Sequence, residues 1–156
     1  MKKLFIVFLS LFLICMTGTS VYADEEEPPV NPIDPEPYSV VPVKFNNKTI
    51  YAGQVSGGGP SYTVTASVSG YRNENSSTGD VLYFSNVTFN GAGIDDSNGG
   101  GGYQAWENSS YQTSVVYSGA LAYVHFYLNY SYTTPSSGTT TTGVNLTATL
   151  TNGNTR

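Results

Sequence analysis

Apolar and polar residues alternate one by one along much of this chain. Tyr62, Val64, Ala66 and Val68 interleave with Thr63, Thr65, Ser67 and Ser69, and Val144, Leu146, Ala148 and Leu150 interleave with Asn145, Thr147, Thr149 and Thr151. A longer case sets Ala120, Ala122, Val124, Phe126, Leu128 and Tyr130 against Leu121, Tyr123, His125, Tyr127 and Asn129. A period of two places each set on its own side of a pleated strand, one toward a core and the other toward solvent. After the amino-terminal segment, nothing keeps an apolar helical period over three turns. Val81–Phe89 and Tyr111–Tyr117 read as further strands, the first covered on both faces, and Gly119 marks a bend or bulge before the long strand. Near the start, Val41–Phe45 and Lys48–Val55 flank Asn46-Asn47. Asparagine tolerates positive φ, which suits a tight hairpin there. Pro42 belongs on an edge strand, because it has no N–H to give to a ladder.

Valine, threonine and tyrosine fit a pleated, half-buried surface, and the intervening Gly, Ser and Asn clusters fit turns. The spacing predicts an all-β domain over residues 39–156: a single antiparallel β-sandwich of about seven or eight strands. Val64, Val68, Val87, Phe89, Val115, Val124, Phe126, Leu128, Val144, Leu146 and Leu150 are its expected buried set. No short motif repeats, which excludes a solenoid or propeller.

The amino-terminal segment follows a different logic. Met1-Lys2-Lys3 is a short basic start, Leu4–Met16 is an apolar run, and Val21-Tyr22-Ala23 offers small residues for cleavage. Residues 1–23 thus read as a bacterial-type secretory signal peptide, too short for a membrane span. Residues 24–38 begin DEEEPPVNPIDPEP, an acidic, proline-rich leader with almost nothing to bury, expected to stay extended and disordered. Removing the signal segment, with its two lysines and no acid, takes the formal charge from −5 to −7. An acidic chain whose remaining bases are Lys44, Lys48, Arg72 and Arg156 is a poor nucleic-acid or anionic-membrane ligand.

Cys15, the one cysteine, lies inside the apolar run, so the exported domain has no disulfide to rely on. A lipoprotein would need Cys15 as its acylated residue, but Ile14 precedes it and a better cleavage site follows. The polar ending Asn152-Gly153-Asn154-Thr155-Arg156 has no apolar tail and no sorting signal of the Leu-Pro-x-Thr-Gly type. The expected location is extracellular, with no stable membrane anchor.

Residue types that carry catalysis are scarce. His125 is the sole imidazole and falls in mid-strand, which leaves no histidine pair for zinc and no elbow motif for a serine triad. A glycosidase needs two facing carboxyls, and the candidates Glu74, Asp80, Asp95, Asp96 and Glu107 sit mostly in turn-like sequence. We expect no enzyme, no catalytic residues and no cofactor. Six Asn-x-Ser/Thr matches, at Asn47, Asn75, Asn86, Asn108, Asn129 and Asn145, follow from an Asn/Ser/Thr-rich composition.

Asn90–Asn108 reads as one long glycine-rich loop, and long loops often bind. Asp95, Asp96 and Asn98 are weak calcium candidates whose spacing fails the EF-hand register, since Gly100 stands where a third ligand belongs. Tyr103 and Trp106 could form an aromatic platform, with Gln104, Glu107 and Asn108 orienting a sugar or peptide. Against this, a lone tryptophan is more often a core residue. Tyr123, Tyr127, Tyr130 and Tyr132 of the long strand either cover the sheet or make a recognition face. The function these features suggest is a secreted, non-enzymatic β-sandwich recognising an envelope glycan or another protein. The alternative is a small membrane-active toxin or bacteriocin-like protein.

Val21 and Ala23 place signal cleavage between Ala23 and Asp24. Amino-terminal sequencing of the exported protein is expected to begin at Asp24, and a lipid-modified start at Cys15 would refute this.

Overall fold

The structure, a computed structural model, describes residues 39–156; the signal segment and the body of the acidic leader lie outside them. Six strands follow one another: β1 (Val40–Ser56), β2 (Ser61–Asn75), β3 (Val81–Asp95), β4 (Gln104–Ser118), β5 (Leu121–Thr134) and β6 (Gly138–Leu150). A single helical turn, α1 (Asn152–Thr155), follows. Each strand pairs antiparallel with its chain neighbour in two three-stranded sheets, β1-β2-β3 and β4-β5-β6.

The fold is all-β as the alternation requires, but with six strands instead of seven or eight. The expected hairpin at Asn46-Asn47 is a bulge. Asn47 does take a positive φ of 47°, but the β1–β2 register slips between Phe45 and Lys48 and the strand runs on. A bulge absorbs extra residues and bends the strand without reversing it. Here the Asn47 N–H donates to Ser69 Oγ at 3.0 Å, and Asn90 Nδ2 donates to Asn47 Oδ1 at 3.0 Å. The expected loop Asn90–Asn108 is also mostly strand: β3 continues to Asp95 and β4 starts at Gln104. Gly119, with φ 53°, helps form the tight turn between β4 and β5, so Ala120 lies in the turn and not on the strand. Pro42 sits on β1, an edge strand.

One core cluster draws on the inner faces of both sheets. On β2, Tyr62, Val64, Ala66 and Val68 are buried; on β5, Ala122, Val124, Phe126, Leu128 and Tyr130 are. Of the expected set, Val64, Val68, Val87, Val124, Phe126, Leu128 and Leu150 are buried, while Phe89, Val115, Val144 and Leu146 are partly buried against them. Phe45, Ile50 and Phe84 join the core without having been expected there. Phe89 of β3 stacks on Phe126 of β5 with ring centroids 4.8 Å apart, tying one sheet to the other.

Side chains also close the junction between β3 and β4. The N–H groups of Val87, Phe89 and Ala92 donate to the Tyr117 hydroxyl at 3.1 Å, Gln112 Oε1 at 3.1 Å and Ser110 Oγ at 3.2 Å. The ladder β3 lacks on that side is replaced by three side chains of β4. At one end, the Gly57–Gly59 loop lies under the rings of Tyr132 and Tyr103, so close that a Cβ on Gly57 would stand 2.9 Å from Tyr132 Cβ. At the other end, α1 buries Thr155, and Arg72 donates both to the Thr155 carbonyl and to Glu74.

Among the described residues, the Tyr62 hydroxyl is the one buried side-chain polar atom without a hydrogen-bond partner. Burial first, then the charges of Asp96 and Tyr103, hold its phenol above the ordinary 10.0. The folded state therefore keeps this proton more tightly than the unfolded chain does. Its contribution to stability is complete below the ordinary tyrosine value and lost as pH rises beyond it. Tyr62→Phe removes an unsatisfied hydroxyl and keeps the ring, so stability at about pH 7 should hold or rise, and the alkaline loss near pH ~10.5 should shrink. Urea unfolding at both pH values tests this; a loss above about 1 kcal/mol at neutral pH would mean the hydroxyl is paired.

Candidate functional site

The same alternation that buries one face of β5 dictates what its other face presents. Strand register aligns rows across the outer side of the β4-β5-β6 sheet: Trp106, Ser131 and Thr141; Tyr111, Tyr127 and Asn145; Ser114, His125 and Thr147; Val116, Tyr123 and Thr149. Two register shifts in β4, at Glu107/Ser109 and Gln112/Ser114, keep these side chains on that face along the strand.

The face is both aromatic and open. Trp106 is 40% exposed, Tyr111 58% and Val116 49%. The rings of Tyr111 and Tyr127 lie 5.4 Å apart at 31°. Tyr127 leans over Gly143, where an added Cβ would collide with its hydroxyl. From Ser131, opposite Trp106, to Tyr127, opposite Tyr111, is four residues of β5, or about 13 Å at a strand's rise. Polar groups accompany the rings: Asn108 Nδ2 donates to Ser131 Oγ at 2.8 Å, and that hydroxyl meets Thr141 Oγ1 at 2.7 Å. His125 Nδ1 and Thr147 Oγ1 are 2.8 Å apart.

The face has no formal charge. No Asp, Glu, Lys or Arg occurs between Glu107 and Arg156, and Glu107 points the other way. It lies opposite the buried Tyr130, and Ser110 Oγ donates to its carboxylate at 2.6 Å. What remains outside is rings, hydroxyls and amides.

The residues expected to form a site therefore divide. Trp106 is exposed, not a core residue as its burial statistics suggest, and shares the outer side of β4 with Gln104, each flanking the buried Ala105. Asn108 joins them at the bulge. Tyr103 instead packs against the core and over Gly59. Tyr103 and Trp106 do not stack among the described ring pairs, and the rings that share the outer face with Trp106 are those of Tyr111 and Tyr127, further along the strands. These partners were readable from the alternation: Tyr127 stands in the polar-side set of the long strand, and antiparallel pairing brings a β4 aromatic beside it.

Elsewhere, Asp95 accepts the Ser97 N–H at 2.9 Å, and the Gly99 N–H donates to the Asp96 carbonyl at 2.8 Å. Hydrogen bonds from Ser97 hold the Asp95 carboxyl below its ordinary value. Its carboxylate is thus engaged in its own turn, with Asn98 in the same exposed stretch. Among the described residues no group of three or more His, Cys, Asp or Glu side chains gathers. Glu74 is held by Arg72 at 2.5 Å. Comparison with known proteins finds no matching family model, no matching curated protein and no matching solved structure.

Trp106, as the only tryptophan, makes the face directly measurable. Its emission is expected to be red-shifted and quenched by acrylamide in the folded protein. A blue-shifted, unquenched indole would remove it from the surface.

Proposed function

We propose that this chain is a secreted, non-enzymatic β-sandwich that binds an envelope glycan on the outer face of its β4-β5-β6 sheet. One observation carries the reading: an exposed tryptophan beside the exposed Asn108 and Thr141, both held by the buried Ser131 hydroxyl, on a face without charge. A sugar ring has apolar C–H faces that stack on indole or phenol, and an equatorial rim of hydroxyls that pairs with amides and hydroxyls. An acidic or basic ligand would find nothing here to neutralise it. The roughly 13 Å between the Trp106 and Tyr111 positions suits a chain of several sugar rings better than a single one. Because the rings sit on paired strands, little order has to be created on binding.

A protein partner is the neighbouring reading, but protein interfaces centre on buried apolar anchors with a polar rim. Here hydroxyls and amides run through the centre of the face. The membrane-active alternative draws on strand length, since β5 and β6 are 14 and 13 residues long and a membrane strand needs about 9–11. Its difficulty is chemical. The outward side of β6 carries Thr139, Thr141, Asn145, Thr147 and Thr149, where a lipid-facing strand needs apolar residues.

Stacking on a protein ring is worth about 1–3 kcal/mol where nucleic-acid bases have been measured. By that scale, Trp106→Ala with Tyr111→Ala should weaken binding to cell-wall polysaccharide roughly a hundredfold, with the unfolding transition nearly unchanged. Full retention of binding by the folded double variant would remove this face from the site. Dye release from liposomes at micromolar protein would instead favour the membrane-active reading.

A further inference from the structure

The two sheets have four edges, and among the described residues they are not equally guarded. β1 carries Pro42, Lys44 and Lys48 and two register shifts. β3 is covered by the Tyr117, Gln112 and Ser110 side chains. β4 provides that cover and is itself broken by two register shifts. These are the devices by which proteins prevent strand-to-strand association: proline, charge, bulges and overlying side chains.

The first half of β6 has none of them. Gly138–Gly143 reads GTTTTG, with every residue exposed on both faces of the strand. Its pairing to β5 runs without a shift from Gly138 to Leu150. It contains no proline and no charge, and the β5–β6 hairpin has neither Lys, Arg, Asp nor Glu. Past this segment β6 runs near β1, where a Cβ added to Gly53 would stand 3.3 Å from Leu146 Cδ2. Four consecutive threonines, β-branched and extended, thus present an edge whose outward N–H and C=O groups meet no partner among the described residues.

We propose that two copies of this chain join antiparallel along Gly138–Gly143 of β6, forming one sheet in the order β4-β5-β6-β6-β5-β4. A second copy is the occupant the chemistry favours. An antiparallel pair of identical strands closes on itself about a two-fold axis, as an isologous contact must. An axis perpendicular to the sheet keeps each face on its own side, so Thr140 and Thr142 of one copy meet Thr140 and Thr142 of the other. No Asp, Glu, Lys or Arg occurs between Glu107 and Arg156, so the edge segment brings no charge of its own to the contact. The join also places both Trp106 faces on the same side of one continuous sheet, which would raise avidity for a polymer while adding no contact. The pairing itself does not depend on the ligand being a glycan.

A contact of one short strand lies at the small end of stable interfaces, so the dimer should be weak and populated at roughly 0.1 mM and above. Sedimentation velocity from about 10 µM to about 1 mM should show the mass rising from one copy toward two. Thr140→Lys with Thr142→Lys should stay monomeric throughout, and so should Thr140→Glu with Thr142→Glu, because like charges then meet across the axis. An equimolar mixture of the two variants should dimerise again, which also shows that both are folded. The Trp106→Ala, Tyr111→Ala variant should dimerise as the wild type does, separating this contact from the ligand face. A wild type monomeric at about 1 mM overturns the proposal, as does a dimer that survives in both charged variants or a mixture that fails to re-pair.

Discussion

Inter-sheet packing on the inner faces of β2 and β5 is the interaction on which the other features depend. The one cysteine precedes the described domain, so no disulfide braces these strands. Cohesion has to come from apolar burial, at about 25 cal/mol for each Å² removed from water. That explains why the two central strands carry the cleanest alternation, with every second residue of Tyr62–Val68 and Ala122–Tyr130 buried. It also explains the use of aromatic bulk across the gap, as where Phe89 stacks on Phe126. The short C-terminal turn and the glycine loop under Tyr103 and Tyr132 then close the two ends.

A core built this way settles the centre of each sheet but not its margins. A strand with one neighbour still has half its backbone groups to satisfy, and this chain uses different answers on different margins. Where the sheets meet at β3 and β4, the solution is side chains long enough to reach across, a tyrosine, a glutamine and a serine. Gln112 and Tyr117 are both exposed by area, and both would look like ordinary surface residues if their hydrogen bonds to β3 were ignored. The absence of an equivalent device on the first half of β6 is informative because the other margins have one.

The alternation was legible wherever a strand is buried on one side only. Tyr62–Ser69, Ala122–Tyr130 and Val144–Leu150 could be placed with their inner and outer sets correctly divided. Legibility failed where local and long-range forces favour different outcomes. Asn46-Asn47 has the chemistry of a turn, but Ser69 and Asn90 hold it as a bulge. Asn90–Asp95 and Gln104–Asn108 have the composition of a loop, and they become strand because partners on β2 and β5 offer a ladder. No single-sequence propensity contains those partners. The site suffered from the same error. Treating 90–108 as a loop made Tyr103, Trp106 and Glu107 neighbours, whereas a strand sends successive residues to opposite faces and gives Trp106 a different set of companions.

That change of setting bears on the glycan recognition proposed for this face. Residues on a mobile loop must be ordered when a ligand arrives, and each immobilised side chain costs about 0.5–1.5 kcal/mol. Tyr111 and Tyr127 are instead fixed by strand pairing and by each other, and Asn108, Ser131 and Thr141 by their mutual hydrogen bonds. A rigid, flat and neutral surface gains little from a small ligand, which can touch only one ring at a time. It gains most from a long one that lies along the strands and meets the rings in sequence. The absence of charge from Asn108 through Thr155 extends this logic along the outer face of the sheet, where no charged side chain would steer or repel an ionic partner. Under the proposed reading, selectivity would come from shape and from hydroxyl positions, set by where β4 bulges and where Gly143 makes room for the Tyr127 ring.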